Sequence, residues 1–165
     1  MPIDDIINAV LKAEVGDKPD GGYTNDPADA GGRTQYGISE KSNPEAWADG
    51  KVTEAEAREI YLNKYVRGPG FDKIANSKLQ HFVVDWGVIS GPAVAIRYLQ
   101  QVIGVKVDGI MGDKSLTAIN SGDARVILNR VVSERLKMIG RIVQDRPSQL
   151  KYLEGWINRC CEFLV

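Results

Sequence analysis

The sequence predicts a mainly α-helical fold with one glycine-rich loop region, or short β-hairpin, after the first helix. Apolar residues recur at helical spacing along most of the chain. Eight glycines and prolines crowd the segment 16–37, where a regular helix cannot persist. Of the 165 residues, 43% are apolar and 26% are charged, the balance typical of soluble globular proteins.

The first helix is predicted from residue 3 to just beyond Glu14. Its apolar side chains follow the i, i+3, i+4, i+7 spacing of one helix face, and Gly16 and Pro19 end it. In the segment 16–37, the density of turn formers predicts turns and a short, irregular hairpin. So many permissive residues indicate backbone shaped for a site, although a plain surface loop would have a similar composition.

The later helices are predicted from their caps and breakers. Thr53 and Glu56 form a capping box before a helix that includes Ala57 and Tyr61. The helices that follow are predicted over 79–89, 93–103, 113–119, 123–145 and 149–164. Basic side chains on the longest of them alternate with acidic and apolar ones, so we expect a solvated face. These are Arg125, Arg130, Arg135, Lys137 and Arg141.

Charge and cysteine usage exclude several classes of function. Lys plus Arg number 21 against 22 Asp plus Glu, a net charge of −1, whereas nucleic-acid binders usually carry a basic excess. The two cysteines, Cys160 and Cys161, are adjacent, and we interpret them as reduced thiols, one of them buried. With His81 as the single histidine, soft ligands are too few for a zinc site. We therefore expect no nucleic-acid partner, no metal and no cofactor.

The sequence also predicts no membrane insertion. The N-terminus lacks the basic and apolar segments of a secretory signal. No apolar run approaches the roughly 18 residues that a membrane span requires. We expect a protein made in the cytoplasm without a signal peptide.

Glu14 is the most informative charged residue. It lies four residues after Val10 and eleven after Ile3, so it continues the apolar face of its helix. Partial desolvation and the negative end of the helix dipole both disfavour a charged carboxylate, which is what a general acid requires. Periodicity leaves a second interpretation open, a frayed terminal glutamate in solvent.

The segment Gly21–Ile38 carries a specific motif. It reads Gly-Gly-Tyr-Thr-Asn-Asp-Pro-Ala-Asp-Ala-Gly-Gly-Arg-Thr-Gln-Tyr-Gly-Ile and closely resembles the signature of glycoside hydrolase family 108, phage-type and prophage muramidases. The segments Val107–Gly112 and Gly155–Arg159 are similar to motifs in the helical peptidoglycan-binding part of those proteins. This resemblance implies a lysozyme-like helical fold. It implies a catalytic lobe over 1–76 and a helical peptidoglycan-binding lobe over 77–165, packed as one compact unit.

The resemblance implies a lysozyme that hydrolyses the β-1,4 bond between N-acetylmuramic acid and N-acetylglucosamine in bacterial peptidoglycan. A phage endolysin and a secretion-associated muramidase are both open as its setting. In either, the protein would act on the cell wall in the periplasm, after release through holin pores or a secretion route. We expect peptidoglycan as its partner and a monomer.

By resemblance to phage-type lysozymes, three residues receive catalytic roles. Glu14 would protonate the leaving oxygen, Asp29 would stabilise positive charge or help to activate water, and Thr34 would position that water. The alternative is that Asp29 caps a turn and Thr34 begins a strand. Asp26 is a rival carboxylate, although its position before a proline suits a turn. The candidate substrate-binding residues are Tyr23, Asn25, Arg33 and Tyr36.

The position of the acid departs from the family pattern. The family's glutamate usually touches the Gly-Gly directly, and here Asp20 occupies that place. We favour Glu14, because it ends a helix, whereas Asp20 lies in a turn between Pro19 and Gly21. An inverting mechanism is favoured by the resemblance. A lytic transglycosylase and a catalytically inert peptidoglycan-binding protein are the alternative functions.

Overall fold

Helices and one small hairpin make up the described chain, residues 1–26 and 31–164 of a computed structural model. The chain divides into two compact units, Met1–Gly68 and Pro69–Val165. The first contains α1 (Ile3–Val15), the strands β1 (Thr34–Gln35) and β2 (Ile38–Ser39), and α2 (Glu54–Tyr61). The second contains α3 (Ser77–Ser90), α4 (Pro92–Ile103), α5 (Asp113–Ser121), α6 (Ala124–Asp145) and α7 (Leu153–Cys161). The predicted mainly α-helical fold with a short hairpin is confirmed.

In the first unit, α1 buries the apolar face that its spacing predicts. Ile6, Ile7, Val10 and Leu11 are buried, and the helix ends at Val15. The next residue, a glycine, takes a positive φ of 62°, a conformation that a side chain would resist. The predicted end of the helix, just beyond the candidate acid, is therefore confirmed.

The helix α2 begins at the predicted capping box. The Thr53 hydroxyl accepts a hydrogen bond from the Glu56 amide, and the Glu56 carboxylate accepts one from the Thr53 amide at 2.8 Å. At its other end, α2 continues into a π-helical turn, Leu62–Arg67. Such turns widen a helix locally and occur often at functional sites.

The second unit is built around α3, which is buried along most of its length. It packs against α4 and α6, and Gly91 and Pro92 make the turn between α3 and α4. Pro92 occupies the first helical turn, where its missing N–H removes no helical bond. The helix predicted over 149–164 is shorter in the structure: a 3₁₀ segment, Pro147–Tyr152, precedes α7, and such segments are frequent at the N-termini of α-helices.

One expectation for α6 is wrong. Arg135 does not lie on a solvated face, because its side chain is only 4% exposed and donates to Asp85 Oδ2 at 2.7 Å. The other oxygen of that carboxylate accepts from Arg159 of α7 at 2.7 Å. Position 135 follows Leu128 by seven residues, so the helical period places it on the buried face.

The two cysteines are free, as predicted: Cys160 is buried and Cys161 is exposed. Burial raises the pKa of the Cys160 thiol. The His81 ring lies edge-on to Phe163, with 4.8 Å between ring centroids, and burial lowers its pKa. Among the described residues, no helix has the length and apolar character needed to cross a membrane.

Candidate active site

Glu14 lies in the last turn of α1, where it is exposed. Its side chain is therefore not buried with the apolar face that it was expected to continue, because the helix ends one residue later. Its stem nevertheless packs against the hairpin: a side-chain carbon built on Gly37 would lie 3.5 Å from Glu14 Cβ and 3.7 Å from Cγ. The charge of Glu14 also reaches Tyr65, whose pKa is raised by burial first and by that carboxylate second.

The hairpin places its turn beside Glu14. Strands β1 and β2 are antiparallel, with Gln35 opposite Ile38, and the two-residue turn between them is Tyr36–Gly37. Both turn residues have positive φ, 51° and 74°, the geometry of a type I′ turn. Among residues 1–26 and 31–164, Tyr36 alone has a positive φ without being glycine. A bulky side chain disfavours this conformation, so the surroundings must hold it.

Three contacts hold Tyr36. Its amide donates to the Gly21 carbonyl at 2.7 Å, and its carbonyl accepts from the Tyr61 hydroxyl at 3.1 Å. Its ring lies over Gly21, where a side-chain carbon would come within 2.5 Å of two ring atoms. The first glycine of the motif is therefore required by both its φ of 66° and the ring above it.

Gln35 links three segments of this region. Its Nε2 donates to the Asp20 carbonyl at 2.9 Å, and its Oε1 accepts from the Val52 amide at 2.9 Å. The Asp20 carboxylate accepts from the amide of Gly22 at 3.0 Å, the arrangement of a turn-forming aspartate. The hairpin is thus bonded both to the loop before it and to the segment that leads into α2.

Thr34 begins β1, between two partners. Its amide and carbonyl pair with those of Thr24, at 3.0 and 2.8 Å, and Ser39 lies opposite it on β2. Glu14 and Thr34 therefore share one unit, in which the acid contacts the turn of the hairpin that carries the threonine. Asp29 lies outside the described residues. The catalytic roles of all three stay predictions.

The predicted substrate-binding residues occupy two different settings. Tyr23 and Asn25 are exposed, and the Tyr23 ring lies 6.3 Å from that of Trp47. Arg33 forms a bidentate pair with Glu40, at 2.9 and 2.7 Å, and lies 4.8 Å above the Trp47 ring. That hydrogen-bonded guanidinium lowers the pKa of the Glu40 carboxyl. Their binding roles, like that of Tyr36, stay predictions.

A groove of about 290 Å³ lies in the first unit with Tyr36 in its wall. Leu11 and Val15 of α1 also line it, with Lys12 and Arg58 among its polar residues. Asp17 and Glu54 place carboxylates in the same lining, and Glu54 pairs with Arg58 at 3.0 Å, so the groove carries charges of both signs.

In the second unit, Gln100 organises the segment Val107–Gly112. Its buried Nε2 donates to Asp108 Oδ1 and to the Ile110 carbonyl, each at 2.9 Å. Its Oε1 accepts from the amides of Asp108 and Gly109, at 3.0 and 2.9 Å. The segment is thereby fixed while the Ile110 side chain stays 69% exposed.

Sequence reasoning missed Tyr61 and Tyr65 as parts of the site. Both have the spacing of an apolar helix face, which indicates packing rather than a site. No local signal marks the hydroxyl that reaches Tyr36, or the π-helical turn that carries Tyr65. For metals, the described part of the chain contains no group of three or more His, Cys, Asp or Glu side chains able to hold an ion.

Comparisons with known proteins agree with the sequence motif. A family model described as Glycosyl hydrolase 108 matches residues 8–91, which include Glu14 and the hairpin. A second, described as Predicted Peptidoglycan domain, matches residues 94–161. A solved structure of SagA from Brucella abortus is similar, at 29% identity over 97% of this chain and 90% of that chain, with a TM-score of 0.72. No curated protein matches.

Proposed function

Because the chain belongs to the glycosyl hydrolase 108 family and is a peptidoglycan-acting enzyme, we propose that it is a muramidase. The bond cleaved is the β-1,4 link between N-acetylmuramic acid and N-acetylglucosamine. One observation carries the proposal: a glutamate ends α1 with its stem against the turn of a hairpin that carries Thr34.

In the proposed reaction, Glu14 donates a proton to the oxygen that leaves the muramic acid. Protonation of that oxygen is needed because a sugar alkoxide is a poor leaving group. As Glu14 is exposed, the bound glycan itself must exclude water from the carboxyl when the bond breaks. The Thr34 hydroxyl would position the attacking water, and Asp29 would stabilise the positive charge that develops on the sugar.

Residues 94–161 hold the enzyme on its polymeric substrate in this proposal, which the match to a peptidoglycan domain supports. Binding by a second site raises the local concentration of glycan at the first. Because the net charge is only −1, such binding depends on local groups rather than on the overall field of the molecule. The cell wall, reached as a phage endolysin or by a secretion-associated route, is the proposed place of action.

Glu14→Gln tests the proposal. The amide keeps the shape of the side chain but has no proton to give, so we expect turbidity loss of a murein suspension to slow by roughly 10²–10⁴-fold. Circular dichroism should show the same helix content as the wild type. Asp20→Asn is the matched control and should act at nearly the wild-type rate. Near-normal activity of Glu14→Gln would remove Glu14 from the role.

The chemistry of the new chain ends distinguishes the alternatives. Mass spectrometry of fragments from digested sacculi should find reducing muramic acid ends. Anhydro ends would indicate a lytic transglycosylase, and binding to sacculi without release of fragments would indicate an inert binding protein. When each protein is directed to the periplasm of a Gram-negative host, the wild type should lyse the cells and Glu14→Gln should not.

A further inference from the structure

We infer that Tyr61 is a positioning residue for the proposed hydrolysis. Its buried hydroxyl holds the strained Tyr36–Gly37 turn against the stem of Glu14. It thereby fixes the acid relative to the strand that carries Thr34. This role rests on the proposed function and belongs to a residue outside the glycine-rich motif.

The Tyr61 hydroxyl occupies the space beside Gly37. Tyr61 is 2% exposed and is the last residue of α2, and its hydroxyl donates to the Tyr36 carbonyl at 3.1 Å. A side-chain carbon on Gly37 would collide with that hydroxyl, and would lie 3.5 Å from Glu14 Cβ. Gly37 is therefore enclosed by the hydroxyl and the stem of the acid.

The conformation of Tyr36 makes this hydrogen bond important. A φ of 51° is unfavourable for a tyrosine, and such a residue keeps it only where its neighbours hold it. The Gly21 carbonyl holds the amide of Tyr36, while the Tyr61 hydroxyl holds its carbonyl. Without the Tyr61 hydroxyl, the Tyr36 carbonyl loses the hydrogen bond that this side chain donates.

The helix α2 fixes the hairpin from two places. The Val52 amide, just before the helix, donates to Gln35 Oε1, and Tyr61 at its end donates to Tyr36. The capping box at Thr53 defines where the helix starts. These two bonds therefore hold the hairpin at neighbouring residues, Gln35 before the turn and Tyr36 within it.

Loss of the hydroxyl should act on the chemical step. Proton transfer requires the acid within about 3 Å of the leaving oxygen, and a displacement of about 1 Å can slow a reaction by roughly 10²-fold. Because Tyr61 is buried, it offers almost no surface to a glycan, so substrate binding should change little. In Tyr61→Phe we expect kcat to fall by roughly 10–100-fold and KM to stay within about twofold.

The test is a double-mutant cycle on kcat and KM with soluble glycan fragments. An Asn-Gly pair forms a type I′ turn readily, so Tyr36→Asn removes the strain that the hydroxyl opposes. In the Tyr36→Asn background, adding Tyr61→Phe should lower kcat by less than about threefold. Ser90→Ala, which removes a hydroxyl at the end of α3 and outside residues 94–161, is the control and should change neither constant.

Each outcome decides the inference. A large fall in kcat that shrinks in the Tyr36→Asn background supports it. A wild-type kcat in Tyr61→Phe, or the same loss in both backgrounds, overturns it, because the ring would then act only by packing. If Tyr61→Phe alone fails to fold, an equal loss of folding in the Tyr36→Asn background also overturns it. Absence of hydrolysis by the wild type would refute the proposed function, and this role with it.

Discussion

At the scale of single residues, the site depends on where glycine is required. Gly37 adopts a φ of 74° in contact with Glu14 and Tyr61, and Gly21 lies under the ring of Tyr36. Neither position accepts a side chain without moving a neighbour. These glycines therefore shape the surroundings of the acid rather than loosen them.

Replacing Gly37 and Gly140 by alanine should change the free energy of unfolding in opposite directions. At Gly37, positive φ and collision with the Tyr61 hydroxyl should lower the free energy of unfolding by about 2 kcal/mol. Gly140 lies exposed within α6 with open space around it, so Gly140→Ala should raise that free energy by about 0.5–1 kcal/mol. Urea unfolding measures both. Equal effects would show that the turn does not demand glycine.

At the scale of elements, α2 has two distinct ends. Its first turn is closed by the reciprocal bonds of Thr53 and Glu56, and its last turn opens into a π-helical turn that carries Tyr65. The regular part between them is only eight residues long. A helix this short is marginal alone, so its caps and its buried face together keep it formed.

Removing the cap should weaken α2 measurably. Thr53→Ala loses the acceptor for the Glu56 amide, and we expect a loss of about 1 kcal/mol in unfolding free energy. Ser133→Ala, at an exposed interior position of α6, is the control and should stay within about 0.5 kcal/mol of the wild type. Thermal unfolding followed at 222 nm reports both. A Thr53→Ala midpoint equal to that of the control would contradict the role of the box.

At the scale of the molecule, one buried carboxylate joins helices that are distant in sequence. Asp85 of α3 accepts from Arg135 of α6 and Arg159 of α7. The Arg135 guanidinium also lies 5.5 Å from the centre of the Phe82 ring. The net charge of −1 gives no indication of this cluster, because composition does not tell which charges are buried.

Asp85→Asn should therefore destabilise the second unit strongly. The amide leaves the Arg135 charge buried without its counter-ion, and loss of one partner of a buried pair costs about 3–5 kcal/mol. Asp145→Asn at the exposed end of α6 provides the comparison and should change stability by less than about 0.5 kcal/mol. Denaturant unfolding of both variants tests this, and a small loss in Asp85→Asn would mean that the pair contributes little.

The sequence by itself determined the features that depend on near neighbours in the chain. Breakers end α1 after Glu14, a capping box starts α2, and glycines or prolines separate the helices of the second unit. The contiguous motif from Gly21 to Ile38 was sufficient to identify the family. These signals are readable because caps, turns and helical faces involve residues within a few positions of one another.

Tertiary structure alone decided which side chains serve the site and which are buried. Tyr61 reaches Tyr36 across 25 positions, and the two partners of Asp85 are 50 and 74 positions away. The exposure of Glu14 also depends on where α1 ends relative to the hairpin that packs on its stem. Periodicity specifies which face of a helix a residue occupies. The group that meets that face is set by packing between distant segments, which local spacing does not encode.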